Sequence, residues 1–175
     1  MLTTEFISAA NPASRRLLIA LHGLGDSLDG YLWLPGALNL PELNCLLVNA
    51  PDEYFGGYSW YPFPNATHAD IQRSTRLLSE LLDAQRERGF PTEQTTLFGF
   101  SQGCLMTVEV GLRYPHRFAG LIGVSGYVHD PERLLREKSP VADRQRLLLT
   151  HGTRDPLIPI GPVRQQVRQL QAAGL

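Results

Sequence analysis

Five apolar runs, each stopped by a glycine, a proline or a polar turn, limit this chain more than any other feature. They are RRLLIALHG (15–23), NCLLVNAP (44–51), TTLFGFS (95–101), AGLIGVSG (119–126) and RLLLTHG (146–152). Short unbroken runs of this kind read as strands buried on both faces, the pattern of a parallel sheet. Helical signals fill the gaps. Ile71, Thr75, Leu78, Leu81 and Leu82 share one face over 69–89, and Gly89 supplies the stop. QGCLMTVEVGLRYP (102–115) reads as a helix ended by Pro115. In GPVRQQVRQLQAAG (161–174), Pro162 suits the first helical position, Val163, Val167 and Leu170 share a face, and Gly174 caps the end. Strand–helix alternation predicts an α/β fold with a mainly parallel central sheet, right-handed crossovers and helices on both faces. With no internal repeat and no linker, residues 1–175 read as a single domain. That length buries roughly 70% of the surface of the unfolded chain.

Charge and composition remove several function classes. Formal net charge is −1, and acids accompany most of the arginines, so the basic residues read as a solvated face rather than a nucleic-acid patch. No run approaches the apolar length of a bilayer span. The N-terminal MLTTEFISAANPASRR lacks the basic and apolar regions of a secretory signal. Cys45 lies inside a strand-like run and Cys104 just after a glycine turn, so both read as reduced packing residues of a cytoplasmic protein. No metal-ligand spacing occurs, and no cofactor is implied.

Three segments carry chemistry. Gly99-Phe100-Ser101-Gln102-Gly103 stands between a predicted strand and a predicted helix. Glycines there permit a sharp turn that displays Ser101 in a strained, exposed position. The Gln102 amide, at the helix N-terminus, is then placed to stabilise an oxyanion. The plainer alternative is a serine in an ordinary glycine turn. His22-Gly23-Leu24-Gly25-Asp26 follows the first apolar run, where α/β-hydrolases place their second oxyanion amide, here Leu24. His22 itself reads as a packed, hydrogen-bonded structural residue. His151-Gly152-Thr153-Arg154-Asp155-Pro156 follows the last run, and Asp155 is placed to orient an imidazole base. Alone, Asp155-Pro156 would read as a simple Asx-Pro turn.

Together HGLGD (22–26), GFSQG (99–103), YPHRFAG (114–120), LIGVSGY (121–127) and HGTRDPLIP (151–159) resemble the carboxylesterase and acyl-protein thioesterase family of α/β-hydrolases. The match runs in the family's order over nearly the whole chain. It implies an α/β-hydrolase fold and hydrolysis of carboxylic esters or thioesters through an acyl-serine intermediate. Ser101 would attack, Asp155 would orient the base, and Leu24 with Gln102 would form the oxyanion hole. Cys104 stands where many relatives have glycine, which is expected to narrow the pocket floor. Tyr54, Phe55, Tyr58, Trp60, Tyr61 and Phe63 crowd one glycine- and proline-rich stretch, which reads equally as a loop wall around an apolar acyl group or as a packing cluster. Because the family keeps a tryptophan near the active site in this loop, Trp60 is the expected pocket residue.

One departure counts. The resemblance implies a further strand, a Gly-His turn with the catalytic histidine and a last helix beyond the aspartate helix, whereas this sequence reaches Gly174-Leu175. The expected fold is therefore C-terminally truncated, with an unpaired edge strand. No residue matches that histidine. Of the five present, His129 alone follows a strand end on the site side, and it reads as a loop residue. Either a partner chain supplies the missing piece, or the edge dimerises, or the chain is a fragment of a longer enzyme, the last being the most economical reading. The alternative function is a non-catalytic ligand-binding or interaction protein derived from such an esterase. The expected partner is a small ester or thioester, with a homodimer as one outcome.

Overall fold

In the computed structural model, which describes residues 1–175, the apolar runs form most of a six-stranded sheet. Its strands are β1 (Thr4–Ile7), β2 (Arg16–Leu21), β3 (Leu43–Val48), β6 (Thr95–Phe100), β7 (Gly120–Val124) and β8 (Leu147–Thr150). A separate hairpin comprises β4 (Asp52–Tyr54) and β5 (Gly57–Ser59). The sheet order is β1-β3-β2-β6-β7-β8, with every neighbouring pair parallel except β1 against β3. Five parallel strands and the expected alternation are thus present. The short β1, the hairpin, and helices α1 (Leu34–Leu38) and α4 (Pro131–Glu137) go beyond the predicted elements, being too short to carry a clear periodic signal.

The predicted long helices form close to their expected limits: α2 (His68–Glu87), α3 (Gln102–Arg113) and α5 (Ile160–Ala172). A capping box starts α2, with the Asp70 amide donating to Thr67 Oγ1 and the Thr67 amide donating to Asp70. These helices and α4 cover one face of the sheet, α2 against α3, α3 against α4, and α4 against α5. Leu17, Ile19, Leu21, Leu97 and Leu121 fill the core beneath them, all 1% exposed or less. On the opposite face only the turn at Leu28–Tyr31 and α1 provide cover, packing Tyr31 and Leu34 on Leu18, Ala20, Cys45 and Leu47.

That imbalance corrects one expectation. β2 and β3 are buried on both faces, but β6, β7 and β8 are not. Phe98, Ile122 and Leu148 are register partners on the less covered face; Phe98 and Ile122 are half-buried and Leu148 is 55% exposed. A continuous apolar run cannot by itself report whether a helix arrives on its second side. β8 lies at the sheet edge, as expected.

Candidate active site

From β2 the chain runs to β3 on one side, while β6 joins the other side, so the strand order reverses between β2 and β6. Open parallel sheets form a crevice at such a point, beyond the strand C-termini. Leu21 pairs with Gly99, which brings the residues after β2 beside the turn after β6. The close approach depends on two glycines. A Cβ on Gly99 would stand 2.0 Å from the Gly103 carbonyl oxygen, and one on Gly103 would stand 2.2 Å from that of Leu21. Ser101 sits between them at φ 53°, ψ −112°, in left-handed space that a non-glycine residue rarely adopts. Its amide donates to the Val124 carbonyl at 2.9 Å, and its carbonyl accepts the first bonds of α3.

A cleft of about 360 Å³ opens over this turn and brings Leu24, Ser101, Gln102 and Asp155 together. The Leu24 amide has no acceptor within the protein. The Gln102 amide opens α3, where helix N–H groups lack intrahelical partners. Asp155 Oδ1 accepts from the amides of Leu157 and Ile158 at 2.9 and 3.0 Å. These two bonds hold its carboxyl below the usual range and leave Oδ2 open. Tyr61, Phe63, Tyr127 and Leu157 supply apolar wall. None of the five histidines lines this cleft. His22 is buried at the end of β2, His68 opens α2, His116 packs near Tyr114, His129 precedes α4, and His151 faces a different cavity.

Two pocket expectations change. Trp60 is fully buried and does not line the cleft; its indole N–H donates to the His22 carbonyl at 2.9 Å. Its backbone amide donates to Gln102 Oε1 at 2.9 Å, while Gln102 Nε2 donates to the Tyr61 carbonyl at 2.8 Å. Tyr61 and Phe63, from the same aromatic stretch, take the wall position instead. Cys104 does not form the floor of this cleft either. It lines a second cavity of about 380 Å³ between α3, α5 and the ends of β7 and β8, and burial pushes its thiol up to about 12. Tyr127, the last residue of the LIGVSGY run, faces both spaces, a position its motif does not reveal.

Residues 2–174 match the model of the phospholipase/carboxylesterase family. The chain belongs to this family. Acyl-protein thioesterase 1 of Schizosaccharomyces pombe is 34% identical over 155 residues, covering 81% of this chain and 69% of that protein. Acyl-protein thioesterase 1 of Yarrowia lipolytica is 28% identical over 85% of this chain and 73% of its own length. Among solved structures, esterase PE8 superposes with a TM-score of 0.87 at 28% identity, over 99% of this chain and 85% of that one. The family is one of ester and thioester hydrolases, and the fold is that of its α/β-hydrolase members. No helix is long and apolar enough to cross a membrane.

Proposed function

We propose that this protein is a serine carboxylesterase or thioesterase acting on small esters with an apolar acyl group. The observation that carries the reading is the cleft itself. It gathers a left-handed serine at a strand-to-helix turn, two amides without protein acceptors, and a carboxylate with one oxygen committed to its own loop. Ser101 Oγ attacks the acyl carbon, and the Leu24 and Gln102 amides hold the oxyanion that forms. An imidazole between Ser101 and Asp155 Oδ2, which none of this chain's histidines supplies, would take the serine proton and return it to the departing alcohol or thiol. Water, deprotonated by the same base, then releases the acid from Ser101. The largely apolar wall favours an acyl chain over an ionic group. Two buried cysteines without a disulfide suit a reducing, cytoplasmic setting.

Because none of the histidines reaches the cleft, the 175-residue chain is expected to show only the residual catalysis of its oxyanion hole and binding, about 10³–10⁴ over water. A fluorophosphonate probe should label Ser101 and spare Ser101→Ala, with added imidazole accelerating the labelling. No Ser101-dependent labelling with or without imidazole would refute the reading. The same observation favours one alternative, a binding protein that retains the cleft without turnover. It predicts ester ligands bound and recovered intact, and dimerisation through the open edge at β8.

A further inference from the structure

We propose that His22 is a positioning residue for the oxyanion hole, fixing the Gly23–Leu24 peptide so that the Leu24 amide faces Ser101. The inference rests on the esterase reading for its catalytic consequence, but not for its geometry. His22 is 1% exposed at the end of β2. Its Nε2 lies 3.0 Å from the Ala50 amide nitrogen, which can only donate. Nε2 is therefore the acceptor, and the ring proton sits on Nδ1. Nδ1 lies 2.6 Å from the Gly23 carbonyl oxygen, which can only accept, so the two contacts assign the same tautomer. Burial lowers the pKa of His22 and favours this neutral form, outweighing the bond to Gly23 and the Asp26 charge, which both raise it. Tyr58 and Trp60 rings pack beside it, with centroids 6.4 and 5.7 Å away.

The Gly23 carbonyl and the Leu24 amide belong to one planar trans peptide and point in opposite directions. Anchoring the carbonyl toward the core turns the amide toward the cleft. The Asp26 amide adds a longer bond to the same carbonyl at 3.3 Å. A flipped peptide would break the bond to His22 and withdraw one oxyanion donor. Trp60 extends the support, since its indole holds the His22 carbonyl while its backbone amide holds the Gln102 side chain. The residues that carry the two candidate donors, Leu24 and Gln102, thus share one chain of hydrogen bonds through His22 and Trp60. This explains why the tryptophan is buried behind the site instead of standing in it.

The test compares wild type, His22→Ala, His22→Asn, Trp60→Phe and Ser101→Ala, as full 175-residue chains, on p-nitrophenyl butyrate with imidazole present. His22→Ala should lower kcat about 10²-fold with KM within about twofold, the scale of a misplaced catalytic group. His22→Asn, whose carboxamide N–H lies where Nδ1–H did, should recover about tenfold of that loss. Trp60→Phe should fall between wild type and His22→Ala. A drop in melting temperature with kcat unchanged per folded molecule would assign His22 to packing alone and overturn the proposal. Two nuclear magnetic resonance readouts do not need turnover. Imidazole ¹⁵N shifts at pH 7.5 should show the Nδ1–H tautomer, and the Leu24 amide cross-peak should move in His22→Ala and return toward its place in His22→Asn. An Nε2–H ring, or a Leu24 signal indifferent to His22, would overturn it. Wild-type hydrolysis equal to that of Ser101→Ala would instead sink the esterase reading and leave the resonance data to decide the peptide anchor.

Discussion

On the helix-covered face of β6 and β7, Leu97 and Leu121 are 1% exposed or less and face α3. One residue further along each strand, Phe98 and Ile122 point the other way and stay half-buried; Leu148, their register neighbour on β8, is 55% exposed. Backbone pairing is the same for both sets, so the difference comes from what lies above the sheet. The covered face is packed to the limit of backbone contact, as the glycines opposite α3 show. The other face has cover over β2 and β3 that reaches Phe98 of β6 and Ile7 of β1, and beyond it Ile122 and Leu148 leave apolar surface that a neighbouring surface would bury.

The covered face should be intolerant of added atoms. Gly103→Ala places a methyl group 2.2 Å from the Leu21 carbonyl oxygen, with backbone on both sides. It is expected to cost more than about 4 kcal/mol, enough to abolish the cooperative urea transition. A normally folded Gly103→Ala would show that α3 is less tightly seated than its contacts imply. Removing atoms there should cost somewhat less. Leu121→Ala should destabilise by about 2–5 kcal/mol in the same measurement.

Acid offers a gentler probe of the doubly covered strand. His22 has its pKa lowered by burial, so between that value and the unfolded value of 6.5 the unfolded chain binds the proton that the folded one refuses. Stability should therefore fall as pH drops below about 6.5, by at most about 1.4 kcal/mol per pH unit for one proton. His22→Asn should lessen that slope; an unchanged slope would assign it to other groups. Smallest of all should be Leu148→Lys on the open face, within about 0.5 kcal/mol of wild type. It should nevertheless reduce binding of a hydrophobic dye and any self-association seen by sedimentation. A large loss of stability from that substitution would mean the face is covered in solution.

The same contrast explains what the sequence could reveal. Apolar runs, helix stops and the GFSQG turn are local patterns, so strand order along the chain and the place of Ser101 were legible. That Leu24, Gln102 and Asp155 would meet at one cleft was legible because each follows a strand end; their catalytic roles stay a proposal. Burial on the second face was not, because it depends on whether a distant segment returns. Trp60 misled for a related reason: a large aromatic in a loop advertises burial but not the side from which it is buried. His22 reads as packed and hydrogen-bonded from the sequence, but its partners Gly23 and Ala50, and the place of Tyr127 on the cleft wall, become visible only when the loops are placed side by side.

The ends of the last three strands are tied in series. The Ser101 amide holds the Val124 carbonyl, and the Ser125 amide holds the Thr150 carbonyl, both at 2.9 Å. The serine turn is thereby tethered to the outermost strand through two peptide links, just before that strand leads into the loop of Asp155. An edge strand out of register would therefore misplace both Ser101 and the loop of Asp155.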